Sequence, residues 1–311
     1  MQIILYIIFS VIFLILIILI ITANYFVNKL LIKTDKKLFE RKENNNQEDK
    51  EKKLIKEKRK IWFESIQKDA YTFSEDNLRL HAHIINNNKS DVYVIIAHPY
   101  EGRGSYMKYF AEKFYNMGFN VIAADLRAHG ESEGKIYSLG YLERLDIKAW
   151  IKYINDNYNN AEIILYGISM GANAVMMCAG VDLPDNIKAI IEDAGFTNAY
   201  EQLRSRLDIA CRFPFLPIVE LTSFMSQIRL GFSFDDIDVQ KNVSKSKTPI
   251  LFIHGDKDEL VDYNMAYKLY KSCICEKEKL IIQNGNHISA VFNNENIYWG
   301  TVKDFINKYI S

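Results

Sequence analysis

The chain has little sulfur to organise it. Its four cysteines, Cys178, Cys211, Cys273 and Cys275, follow no common spacing. A disulfide-stapled scaffold is therefore excluded as the organising principle, and the pattern is compatible with a reducing compartment. Net charge is also missing: 39 Lys and Arg balance 39 Asp and Glu in 311 residues. No repeat recurs at a fixed period, which excludes a solenoid or blade array. No Lys or Arg precedes Lys29, so the chain lacks the basic leader of a secretory signal.

What is present is unevenly spread. From Ile3 to Ile21 run 19 residues with one polar member, Ser10. That length crosses a bilayer core as a helix, exceeds a signal-peptide core, and is followed by no small-x-small cleavage site. The expectation is an uncleaved, single-pass anchor over 1–27. Residues 28–60 hold 13 Lys and Arg against 7 Asp and Glu, so the rest of the chain carries a surplus of six acids. A basic neck on a mildly acidic body does not suit a nucleic-acid binder, whose basic patch belongs on the folded domain. Lys29, Lys33, Lys36, Lys37, Arg41 and Lys42 follow the anchor, which places the body on the cytoplasmic side, with the extracellular face as the alternative. Residues 28–69 read as a charged, solvated linker with a helix over 48–67 and almost nothing to bury, so the body is expected to stand without the anchor; the alternative is contact of the linker with anionic head groups.

From about residue 70 the pattern alternates. Apolar, β-branched runs fall at 78–85, 92–97, 121–124, 163–166, 187–191, 250–253 and 280–282. Helical patterns fall between several of them, at 107–117, 139–158, 172–179, 265–272 and 297–309. Short apolar strands alternating with helices predict an α/β domain over 70–311, its mostly parallel sheet covered on both faces. Residues 197–247 break the rhythm. They hold two of the five prolines, Pro214 and Pro217, and a helical stripe of Leu221, Phe224, Met225 and Ile228. An insertion there reads as a small helical lid.

The chemistry gathers around Gly167-Ile168-Ser169-Met170-Gly171. An apolar strand runs into it and an Ala- and Met-rich helix leaves it, the context of a nucleophile elbow. A serine hydroxyl is a weak nucleophile and needs a base held by a third group. His287 follows the last apolar strand and serves as the base. Asp256 and Asp258 follow the preceding strand, Asp258 being better placed, and Asp193 offers an alternative acid one strand earlier. The order Ser169, Asp258, His287 is the one this fold uses.

Together these residues resemble the α/β-hydrolase superfamily, in particular membrane-anchored bacterial members related to the serine aminopeptidase and monoacylglycerol lipase group. The resemblance runs from Tyr71 to Tyr309. It rests on His98-Pro99-Tyr100, Asp125-Leu126-Arg127-Ala128-His129-Gly130-Glu131-Ser132, the elbow, His254-Gly255-Asp256-Lys257-Asp258, and His287. It implies an acid at Asp258 and leaves Asp256 as a turn former. Oxyanion donors are implied at Met170 and on the loop after the third strand. There Pro99, which has no N–H, stands where the family has glycine, so the donor passes to Tyr100. Asp125, Arg127 and His129 read as a turn under the site.

The expected activity is serine hydrolysis of an ester, thioester or amide through an acyl-enzyme on Ser169, with a small-molecule or lipid-like acyl substrate. The rivals are a peptidase of the serine aminopeptidase type and a silent membrane-tethered binding module. No metal or organic cofactor is implied. His81 and His83 share one strand face, but the sequence supplies them no third ligand. Cys273 and Cys275 read as unlinked thiols at a helix end.

Overall fold

The computed structural model describes residues 1–33, 50–210 and 217–311. The neck residues 34–49, with Lys36, Lys37, Arg41 and Lys42, lie outside the described residues, as do Cys211 and Pro214. The chain begins with α1 (Gln2–Leu31) and α2 (Lys50–Ile66), then β1 (Lys68–Phe73), β2 (Arg79–Ile85) and β3 (Val92–Ala97). Next come α3 (Lys108–Asn116), β4 (Asn120–Asp125), α4 (Glu143–Asn157), β5 (Glu162–Ile168), α5 (Met170–Cys178) and β6 (Ile187–Asp193). After β6 come the helices α6 (Ala199–Ala210), α7 (Ile218–Leu230) and α8 (Val239–Val243). The chain closes with β7 (Ile250–Gly255), α9 (Asn264–Ser272), β8 (Lys277–Ile282) and α10 (Glu295–Asn307).

One eight-stranded sheet runs in the order β1-β2-β4-β3-β5-β6-β7-β8. The β1–β2 and β2–β4 pairs are antiparallel and the remaining pairs parallel. The central strands are apolar along their whole length because both faces are covered. Alternate residues of one strand serve opposite cores: Tyr93 and Ile95 of β3 face one, Val94 and Ile96 the other. This is the α/β-hydrolase fold.

Two features depart from the expectation. β1 reads as no strand in sequence because Lys-Asp-Ala-Tyr-Thr-Phe opens on two charges and carries no apolar run, as suits a sheet edge where only Ala70 is buried. The second concerns the separation between anchor and body. α1 continues to Leu31, and its last turns are buried in the body at Ala23, Val27 and Leu31. Arg229 of α7 donates to the side chains of Asn24 and Asn28. Ile32 forms a β-bridge with Ile136, and Lys33 N–H donates to the Lys135 carbonyl. Nor is α2 a solvated spacer, because Phe63 is buried in the core beside α3. A 19-residue apolar run and a 3.6-residue stripe that continues it look alike in sequence. Only the partner helix α7 separates them.

Candidate active site

Ser169 sits at the β5–α5 junction with φ of 55° and ψ of −114°, a conformation few L residues adopt. Two glycines make the junction possible. A Cβ on Gly167 would lie 2.2 Å from the Gly171 carbonyl oxygen, and one on Gly171 would lie 2.2 Å from the Ala97 carbonyl oxygen. The start of α5 therefore presses against the end of β3. That approach brings the backbone of Ala97 and His98, which leads into the turn with Tyr100, against Gly171. Met170 is the first residue of α5, where backbone N–H groups have no partner inside the helix and carry the positive end of its dipole.

The loop after β8 delivers His287. Its Nε2 lies 3.0 Å from Ser169 Oγ and its Nδ1 lies 2.7 Å from Asp258 Oδ2. Asp258 is fixed from several sides. Its Oδ1 accepts from Leu260 N–H at 2.8 Å and Val261 N–H at 2.9 Å, and its Oδ2 lies 3.0 Å from His254 Nε2. Burial alone would raise this carboxyl. Hydrogen bonds from His254 and His287 outweigh burial and hold it well below the usual carboxylate range.

The other acids sit elsewhere. Asp193 is buried and accepts from Tyr298 Oη at 2.7 Å. Burial pushes its carboxyl up to about 6. Asp256 N–H donates to the Ile282 carbonyl in the turn after β7.

A second layer supports the Tyr100 turn. His98 Nδ1 donates to the Pro99 carbonyl at 2.7 Å, which leaves Nε2 to accept Leu126 N–H at 3.1 Å. His129 Nε2 accepts Glu101 N–H at 3.2 Å. Arg127, almost wholly buried, bridges Asp146 and Asp76. Asp125, Arg127 and His129 thus form the turn expected beneath the site. Tyr100 makes a contact that sequence reasoning missed: its hydroxyl donates to the Leu30 carbonyl of α1 at 3.0 Å. His254 was likewise missed as a partner of Asp258, although its position four residues earlier was the available signal.

A family model described as serine aminopeptidase, S33, matches residues 88–213. That stretch includes Ser169 and stops before Asp258 and His287. The uncharacterized protein YqkD of Bacillus subtilis is 30% identical over 195 residues, covering 62% of this chain and 64% of the relative. The chain thus spans just under two thirds of that relative's length. An uncharacterized membrane protein of Saccharomyces cerevisiae is 27% identical over 239 residues, 75% of this chain and 77% of its own. Among solved structures, the esterase Pf2001 of Pyrococcus furiosus superposes with a TM-score of 0.64 at 26% identity, over 79% of this chain and 93% of that one.

Proposed function

The chain belongs to the α/β-hydrolase superfamily, and on that premise we propose that it is a serine hydrolase acting on a carboxylic ester. The single observation that carries this reading is His287, bonded on one side to Ser169 Oγ at 3.0 Å and on the other to Asp258 at 2.7 Å. In the acylation step His287 Nε2 takes the Ser169 proton as Oγ attacks the substrate carbonyl. The carbonyl oxygen gains negative charge and meets the N–H groups of Met170 and Tyr100. The same proton passes to the departing alcohol, and an acyl-enzyme remains on Ser169. Water then repeats the sequence with His287 as base, releasing the acid and restoring the serine. Asp258 keeps the imidazole in the tautomer that presents Nε2 to the serine.

The substrate is an acyl compound drawn from a membrane surface. Helix α1 is long and apolar enough to span a bilayer, and its most apolar window is not covered by the other described residues. The body meets α1 at Ala23, two residues past Ile21, or about 3 Å along the helix axis. Helix α7 packs beside it and leaves Phe224 and Ile228 exposed. These features favour a body resting against the bilayer over one held away on a stalk. The basic residues after α1 favour its cytoplasmic face.

Fluorophosphonate labelling of the full chain tests the chemistry. The wild type should be labelled and Ser169→Ala should not. An unlabelled wild type, correctly folded, would leave only the silent binding module. The serine aminopeptidase match keeps an amide arm in the substrate panel. Turnover of aminoacyl amides well above esters would replace esterase by peptidase.

A further inference from the structure

The histidines on β2 gain in three dimensions the third ligand that sequence denied them. Asp69 of β1 is the direct cross-strand partner of His83, and His81 lies two residues along the same strand, hence on the same face. Asp69 Oδ1 stands 3.2 Å from His83 Nδ1 and 3.2 Å from His81 Nε2. The three ligand atoms lie within 4.8 Å of one another. We propose that Asp69, His81 and His83 form a binding site for a divalent transition cation of the zinc class, distinct from the catalytic residues and serving to pin β1 to β2.

The donor set and two of the three distances point the same way. Two imidazoles and one carboxylate suit zinc and its neighbours rather than calcium or magnesium. Zinc bonds of about 2.0–2.1 Å set tetrahedral ligand edges of about 3.3 Å, close to both His–Asp separations. The third edge, between the two imidazole nitrogens, is bounded only by the 4.8 Å span of the cluster, so a bound cation would draw the two rings together from their present positions.

The surroundings of His81 resemble a ligand already oriented. Its side chain is fully buried, and its Nδ1 lies 2.8 Å from Asp125 Oδ2. A carboxylate accepting from one ring nitrogen fixes the tautomer and turns the lone pair of the other nitrogen outward, the usual support of a metal-binding histidine. Here the outward nitrogen faces a second carboxylate. Two protons could serve the two His–Asp edges separately. One cation serves both. Gln67 Oε1 accepts from His83 Nδ1 at 2.9 Å, so this nitrogen releases a proton when it takes the cation, as metal binding by histidine requires. Asp69 is half exposed, so solvent can reach the position and complete the coordination.

The fold gives the site a structural use. β1 is an edge strand whose one sheet partner among the described residues is β2, and it buries little. Asp125, which orients His81, also accepts N–H bonds from Gly104 and Glu131. A cation there would join the sheet edge to the turns that support Tyr100 without touching the reacting atoms.

Titrating the full chain, in detergent with reductant, with zinc chloride tests the proposal. One saturable site is expected, with a rise in Tm of several degrees. His83→Ala and Asp69→Asn should each abolish both effects and leave hydrolysis of a soluble ester unchanged. Asp69 is half exposed, so its variant keeps the test alive if His83→Ala fails to fold. Cobalt chloride is the spectroscopic probe: visible bands of a four-coordinate nitrogen and oxygen site are expected. No saturable zinc binding by the wild type would overturn the proposal and leave a proton-bridged cluster. Binding that survives in both variants would also overturn it. A sulfur-to-cobalt charge-transfer band lost in Cys275→Ser would move the cation to Cys273 and Cys275 and refute the site. Loss of ester hydrolysis in metal-free wild type counts against the proposal too, since the site is separate from Ser169.

Discussion

Asp258 carries more contacts than an orienting acid strictly needs: two backbone N–H groups and two imidazoles. Asparagine in its place keeps the shape but loses the charge that holds the His287 tautomer. Asp258→Asn should lower turnover on the order of 10³-fold or more, whereas Asp256→Asn and Asp193→Asn should leave most of it. Parallel kinetics on the three variants decide the matter, and a dead Asp193→Asn enzyme would reassign the acid. Ser169→Ala should cost at least about a hundredfold, since removing a nucleophile commonly costs far more. A pH consequence follows. The Asp258 carboxyl is depressed in the folded state, so the stability it adds is complete above the unfolded value of about 3.9 and is lost as pH falls through the folded value. The stability gap between wild type and Asp258→Asn should therefore be full at neutral pH and shrink only below about pH 4, as read from urea unfolding at several pH values.

Elements show why some of this was legible and some was not. The elbow is local: strand, turn and helix lie in one stretch, and the two glycines announce the turn. Ser169, Asp258 and His287 stand at strand ends that alternating apolar runs mark in sequence. Contacts that depend on distant pairing left no mark. The edge strand β1 carries Asp69 to His83 with a polar sequence that resembles a linker. The Tyr298 hydroxyl reaches Asp193 across 105 residues of chain, and nothing near either residue signals it. The close approach of α5 to β3 gives a test at this scale. In Gly171→Ala the added methyl meets backbone at 2.2 Å, which no side-chain rotation relieves. That variant should lose a large part of its thermal stability together with fluorophosphonate labelling. A fully stable, labelled Gly171→Ala protein would refute the packing described.

Taken whole, the molecule joins its apolar helix to its folded α/β body. The expectation of a freely detachable anchor gives way to a different one. Removing residues 1–33 uncovers the apolar surface that Ala23, Val27 and Leu31 close. A fragment beginning at Lys50 should aggregate or unfold several degrees below the full chain, as followed by size exclusion and thermal melts. A monomeric fragment of unchanged Tm would show that the contact is dispensable. At the surface of α7, replacing Phe224 and Ile228 by Asp should slow hydrolysis of a long-chain ester dispersed in vesicles about tenfold or more. Hydrolysis of a short soluble ester should be spared. Equal loss on both substrates would assign those side chains to folding.

The bond from the Tyr100 hydroxyl to the Leu30 carbonyl has a mechanical consequence. A rigid rod fixed at one end to a body cannot lean without turning that body. The apolar run of 19 residues spans about 28 Å, slightly less than a bilayer core of about 30 Å. A thinner bilayer makes such a helix lean, while a thicker one keeps it upright and strains the lipid around it. The rod ends in backbone bonds to the folded body, so on the function proposed above its lean would set the angle at which the Tyr100 turn meets the lipid surface. Lipid thickness should thus act as a dial on the enzyme. Vesicles of phosphatidylcholines with stepwise longer acyl chains should change the rate on a membrane-borne ester severalfold, while the rate on a soluble ester stays level. Replacing Tyr100 by Phe, which cuts this bond, spares the backbone N–H and leaves the Ile32 bridge and the Arg229 bonds in place, should lessen that dependence without abolishing it.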